Sequence, residues 1–264
     1  MSDSDESFHD AEADVGDGEA WHAGACAAAD EAFALLLACE RPGQNWKHAG
    51  YEQGVAVQSM AYGHPAWADL CPWVDTGYSL FRASERFEHE TPQEIFHVLH
   101  DWPARCGSNG TPGWDAGLEA LRIMTPVPLP AGTPPGRTFA VAQHLSKPTL
   151  SGLVGRREFI FVFATRREGQ PNTADEALMS VCRSEPGSTA ALAPTAPPGY
   201  TRGDLFLGAV MLRRDPEGGA RLTLLTCAAP RGSIPRAAVN LGGVKGAALL
   251  ADLRRHLDAR RAKK

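Results

Sequence analysis

The chain has 264 residues, 43% of them apolar, and a formal net charge of -5 at pH 7. That is enough apolar content to fill the core of one large domain or two small ones, and the acidic balance argues against a general nucleic-acid binder. Six cysteines (Cys26, Cys39, Cys71, Cys106, Cys182 and Cys227) are scattered without a C-x-x-C pair, so neither a zinc site nor a disulfide framework is indicated, and the thiols are expected to be reduced and mostly buried.

Residues 1–20 carry eight acids, no Lys or Arg and few apolar groups, and residues 1–18 are read as a disordered acidic tail. No apolar run approaches the ~20 residues that span a bilayer, and no basic-then-apolar signal opens the chain, so a cytoplasmic location is expected. From Glu19 to Arg41, Trp21, Ala25, Ala29, Ala32, Phe33 and Leu36 recur near helical spacing until Pro42-Gly43, which predicts a helix over 19–41. "GVAVQSMAYG" and "YSLFRASERFE" alternate as strands do.

Thr91-Pro92-Gln93-Glu94 has the form of a capping box with proline at the first helical position. The helix it starts is expected to end near Trp102-Pro103. Five prolines between Thr125 and Arg137 predict a loop or extended connector. Strands are expected over Thr138 to His144, Glu158 to Thr165, Ala177 to Cys182, Leu205 to Leu212 and Leu222 to Cys227. Three of these are apolar on both faces, so each face must meet something dry. "PEGG" at 216–219 joins the last two as a tight hairpin, and a long C-terminal helix closes the chain. Strands segregated from helices are α+β logic.

No phosphate loop, H-E-x-x-H, G-x-S-x-G elbow or C-x-x-C occurs. "GGVKG" at 242–246 opens no βαβ unit and lies in a helix, so it is not a dinucleotide loop. His97 and His100 share a helix face but lack further ligands, and are read as surface histidines; no metal or cofactor is indicated. The last eleven residues hold six Lys or Arg against one Asp. Such cations suit a helix C-terminus or an anionic membrane surface.

In that order of elements, four stretches resemble the START (StAR-related lipid transfer) family: "LVGRREFIFVF" (Leu153 to Phe163), "GYTRGD" (Gly199 to Asp204), "RGSIPRAAVN" (Arg231 to Asn240) and Trp114-Asp115 after the first internal helix. The resemblance covers residues 44–258 within a single domain over 19–261, leaving 262–264 as a basic end. It implies an α+β helix-grip fold, a curved antiparallel sheet wrapped around a long C-terminal helix to enclose a hydrophobic tunnel for one lipid. It further implies lipid binding or transfer without catalysis or cofactor, transient membrane contact, and access gated by that helix and a loop, matched here to the Pro-rich Glu185 to Pro198. Departures stand at Ala229, at Ser233 and at Arg156-Arg157-Glu158. His144 and Phe163 occupy the positions where sterol carriers often bury an acid and an arginine, which removes a paired charge from the tunnel.

Candidate ligand contacts are therefore His144, Arg157, Phe159, Phe161, Phe163 and Arg202, although Ile160 and Val162 form the alternative face of the same strand. In the closing helix Val239, Gly243, Gly246, Leu250, Leu253 and Leu257 make one inward stripe, bordered by Gly242. Three interior glycines weaken a helix by roughly 0.8 to 1 kcal/mol each. They leave room for a lipid or let the helix approach the sheet; Val239, Gly242, Gly243, Gly246 and Leu250 join the candidates. Two other readings are a helix-grip enzyme acting on a hydrophobic substrate and a regulatory module whose charged tails bind a partner.

Overall fold

The computed structural model describes residues 18–60, 78–108, 111–127, 137–193 and 195–263. The acidic tail up to residue 17, Cys71, the end of the first expected strand past Met60 and most of the Pro-rich connector (128–136) lie outside the described residues. Helix α1 (Gly18–Cys39) leads into strands β1 (Lys47–Glu52), β2 (Val55–Met60) and β3 (Leu80–Phe87), then helices α2 (Pro92–His100) and α3 (Trp102–Cys106). A minimal hairpin, β4 (Gly107–Ser108) with β5 (Thr111–Pro112), precedes β6 (Leu118–Pro126), β7 (Phe139–Ser146), β8 (Arg157–Glu168) and β9 (Ala177–Arg183). Helix α4 (Pro186–Leu192), strands β10 (Thr201–Arg214) and β11 (Ala220–Ala229), and helices α5 (Arg236–Lys245) and α6 (Ala248–Arg261) complete the chain.

Among the described residues nine strands form one sheet in the order β1-β2-β3-β11-β10-β9-β8-β7-β6. Neighbours are antiparallel. Once β9 has ended, Thr201–Gly203 of β10 swing across to pair in parallel with Arg157–Phe159 of β8. Both faces of the central strands are dry, as their composition requires. One face packs Ile160, Val162, Met179, Val181 and Leu207 against Ala25, Ala29, Phe33 and Leu36 of α1. The other packs Leu212, Leu222 and Leu224 against Ile95 and Leu99 of α2 and Leu250, Leu253 and Leu257 of α6. This is the α+β helix-grip arrangement that the resemblance implies.

Several local expectations change. Helix α1 is long and apolar enough to cross a membrane by length and composition, contrary to the sequence reading, because alanines add hydropathy without looking like a span; its apolar stripe is buried against the sheet. At Thr91 the capping box forms as expected, with Glu94 N donating to Thr91 Oγ1 at 3.2 Å and Thr91 N donating to Glu94 Oε2 at 2.8 Å. The helix stops at Asp101, which then caps a second short helix, Ala104 N donating to its Oδ1 at 3.2 Å. Glu185 nucleates a helix in the segment read as an open loop, accepting from Gly187 N at 2.9 Å and from Ser188 N. The closing helix is not continuous: it breaks at Gly246-Ala247. Three cations of its basic end are paired within the protein, Arg254 with Glu85, Arg255 with Asp252 and Arg261 with Asp258.

Candidate functional site

Two adjoining cavities lie between the inner face of the sheet and the closing helices. The first, about 200 Å³, is walled by Tyr78, Phe81, Arg157, Phe159, Thr226, Pro230, Val239, Asn240, Gly242 and Gly243. The second, about 330 Å³, is walled by Leu99, His100, Trp102, Arg105, Asp115, Leu121, His144, Phe161, Phe163, Cys182, Leu205 and Gly246. Ser146 and Thr226 belong to both walls.

Strand alternation decides the face that the sequence left open. Phe159, Phe161 and Phe163 turn toward the cavities, whereas Glu158, Ile160 and Val162 turn to the face covered by α1. Arg157 also points inward, but its guanidinium is engaged by main-chain carbonyls: Nε donates to Pro230 O at 2.7 Å, Nη1 to Gly155 O and Arg156 O at 3.1 Å, and Nη2 to Arg231 O at 3.4 Å. It holds the start of β8 to the end of β11. Burial lowers its affinity for a proton.

Arg202 borders neither of these two cavities. It stands on the outer face and donates through Nε and Nη2 to Glu158 Oε2 at 2.9 and 2.6 Å, with a further bond to Ala193 O. Gln143 Nε2 donates to the other oxygen of Glu158 at 2.5 Å, so a fully buried carboxylate is satisfied on both sides. Leu250 is likewise no cavity residue; it is fully buried in the core under α6. The described residues of Glu185 to Pro198 border neither of these two cavities: α4 lies beside α1, with Glu185 against Gly24, and Glu185, Pro186, Thr189 and Ala190 line a separate pocket of about 740 Å³ with Arg183 and Arg202.

The glycines divide by role. A Cβ at Gly243 would stand 2.8 Å from Cζ of Phe81 and closer still to Cδ2 and Cε2. The space that Gly243 leaves is therefore occupied by an aromatic ring, contrary to the idea of room for a ligand. At Gly246 a Cβ would meet Gly243 O at 3.2 Å and Thr226 Cγ2 at 3.5 Å, whereas at Gly242 it would meet nothing within 4 Å.

The second cavity carries a charged pair after all, supplied by other elements. Arg105 Nη2 of α3 donates to Asp115 Oδ2 at 2.6 Å and Nη1 to Leu99 O at 3.1 Å. Arg105 also lies over the Trp114 ring, 5.4 Å from its centroid. Ala116 N donates to Asp252 Oδ2 at 3.0 Å, which pins this turn to α6. His100, expected at the surface, is instead held inside: it bonds Phe96 O through Nδ1 at 2.6 Å, and its ring lies 5.4 Å from Phe163. Burial pushes His100 and His144 each down to about 4 and the Cys182 thiol up to about 12. At neutral pH the two imidazoles and the thiol are thus uncharged polar groups in an apolar wall. Arg105 was not singled out by the sequence, His100 was read there as a surface histidine, and Asp115 and Asn240 stood only within the stretches that carry the family resemblance. Among the described residues no group of three or more His, Cys, Asp or Glu side chains could hold a metal.

No protein-family model matches the sequence, and no curated protein is significantly similar to it. Solved structures are similar in fold. Human StAR-related lipid transfer protein 5 superposes with a TM-score of 0.59 at 15% identity, covering 89% of this chain and 99% of its own. A STAR-related lipid transfer protein from Xanthomonas axonopodis gives 0.54 at 18% identity over 81% and 99% of the two chains. Human STARD10 gives 0.55 at 13% identity over 87% and 81%. By these likenesses, with its curved antiparallel sheet and closing helices, the chain has the fold of the StAR-related lipid transfer domains.

Proposed function

We propose that the protein binds one lipid between the sheet and its closing helices and carries it between membranes without altering it. The observation that carries this reading is the pair of adjoining cavities walled by Phe159, Phe161 and Phe163, of the size of small-ligand pockets, roughly 300 to 1,000 Å³. The titratable groups of the second cavity support carriage over catalysis. Acid–base work needs a group that exchanges protons near the operating pH. Here burial holds both histidines and the thiol far from it, and Asp115 is paired with Arg105.

Access to the cavities runs through α5 and the β7–β8 loop in this account. None of the α5 residues whose burial is described is buried, whereas α6 is anchored by Leu250, Leu253 and Leu257; the break at Gly246-Ala247 separates a loose half from a fixed one. Thr149 and Val154 of the β7–β8 loop face α5 across the first cavity. Nearby, Leu153 is 78% and Leu241 50% exposed, and two large apolar side chains beside a cavity mouth suit contact with a membrane surface. Native mass spectrometry of the purified protein and transfer of labelled lipid between vesicles test the reading together. One lipid per chain and accelerated transfer are expected; an empty protein with no transfer across a broad lipid panel would reject it.

A further inference from the structure

Along the inner face of β8 the cavities follow one another. Arg157 and Phe159 belong to the wall of the first, and Phe161 and Phe163 to that of the second, as the two-residue repeat of a strand places them on one face. The same side of β8 continues through Thr165 and Arg167 into a further cavity, about 340 Å³, between α2 and the far end of the strand, with Phe96, His97 and Leu178 also in its wall. Arg167 is paired with Glu176 at 3.3 Å, and the neighbouring Arg166 with Glu168. The arginines beside this α2 cavity are thus already met by carboxylates, while Phe96 and Leu178 offer apolar surface to a hydrocarbon chain.

His100 is the one described residue common to the walls of the second cavity and the α2 cavity. Its ring sits between Phe96 of one wall, with centroids 4.1 Å apart, and Phe163 of the other, 5.4 Å apart. It is held there by those ring contacts and by the bond from Nδ1 to Phe96 O, one turn back in its own helix. Without the imidazole the two spaces would communicate, and the channel under the sheet would lengthen. From the succession of cavities along β8 and the single side chain they share, we infer that His100 is the end stop of the lipid site, a specificity residue that limits how long a bound chain can be. The limit applies whichever end of the ligand lies against it, since either end gains the α2 cavity once the imidazole is gone. This rests on the lipid-carrier reading above.

The test is a series of saturated fatty acids, from decanoic to eicosanoic acid, titrated into delipidated full-length protein; the head is constant, so only length varies. Each methylene withdrawn from water raises affinity roughly fourfold. In the parent, affinity is expected to rise along the series and level off where the chain meets His100. In His100→Ala the rise should continue for at least about two more methylenes, to about tenfold beyond the parent's plateau; His100→Ser serves if the alanine variant does not fold. His100→Phe, which restores a ring between Phe96 and Phe163, should return the parent's limit, a result that general loosening of α2 would not give. The same plateau in the parent and the folded small-side-chain variant, no levelling in the parent, or a His100→Phe limit as long as that of the small variant overturns the inference and leaves the carrier reading standing. Failure of the whole series to bind the parent overturns it too, and a parent that also carries no copurified lipid and moves none between vesicles removes both.

Discussion

Gly242 and Gly243 are neighbours on α5, and the structure assigns them opposite responses to the same substitution. Alanine in place of either glycine gains roughly 0.8 to 1 kcal/mol of helix propensity. At Gly242 nothing lies within 4 Å of the new methyl, so Gly242→Ala is expected to stabilise the protein by about that amount. At Gly243 the methyl would overlap the Phe81 ring, and overpacking of this kind costs about 1 to 3 kcal/mol. The net effect of Gly243→Ala is then a loss of up to about 2 kcal/mol, which separates the two variants by about 1 to 3 kcal/mol. With a urea dependence of about 1 to 3 kcal/mol per molar, their unfolding midpoints should differ by about 1 M and lie on either side of the parent. Phe81→Leu combined with Gly243→Ala should recover part of the loss, since contacting residues couple by about 0.5 to 3 kcal/mol. Equal midpoint shifts for the two alanine variants, or no coupling to Phe81, would refute the packing argument.

Removing one partner of the outer-face ion pair, as in Arg202→Met, leaves the fully buried Glu158 carboxylate without its cation; a loss of about 3 kcal/mol in urea unfolding is expected, with lipid occupancy unchanged. His100 and His144 have folded values near 4, below their ordinary 6.5, so the unfolded chain takes up protons first as pH falls. Their contribution to stability is complete above about 6.5 and is lost progressively toward about 4; His144→Leu should flatten that decline in unfolding midpoints measured across the window. Leu153→Asp with Leu241→Asp should slow transfer between vesicles while leaving bound lipid in place, and unchanged transfer would remove these side chains from membrane contact.

How far the sequence announces this architecture depends on whether a signal is local. The capping box at Thr91, the apolar strands β8 to β11 and the stripe ending in Leu250, Leu253 and Leu257 all carry periodicity that burial on one or both faces enforces. Edge strands do not: β1 reads "KHAGYE" and is mostly exposed, and β6 carries exposed Ile123, so neither alternates cleanly and both were absent from the expected elements. The break at Gly246-Ala247 was marked by glycines, yet their number did not reveal that one accommodates Phe81 while another faces open space. Arg105 and Asp115 are ten positions apart and meet only because α3 and the turn before β6 fold together. Arg202 was misplaced for a related reason: its partner Glu158 lies 44 positions away, and only the β8–β10 register sets which face both occupy.

The central claim, that a lipid occupies the space under α5, is tested most directly by native mass spectrometry of the parent protein beside Ala228→Trp. Ala228 belongs to the wall of the first cavity, about 200 Å³ in volume, and an indole there fills much of it. The account expects one bound lipid on the parent and a sharply reduced occupancy on the folded variant. A parent that carries no lipid, or a folded variant that carries the same lipid at the same occupancy, would contradict it.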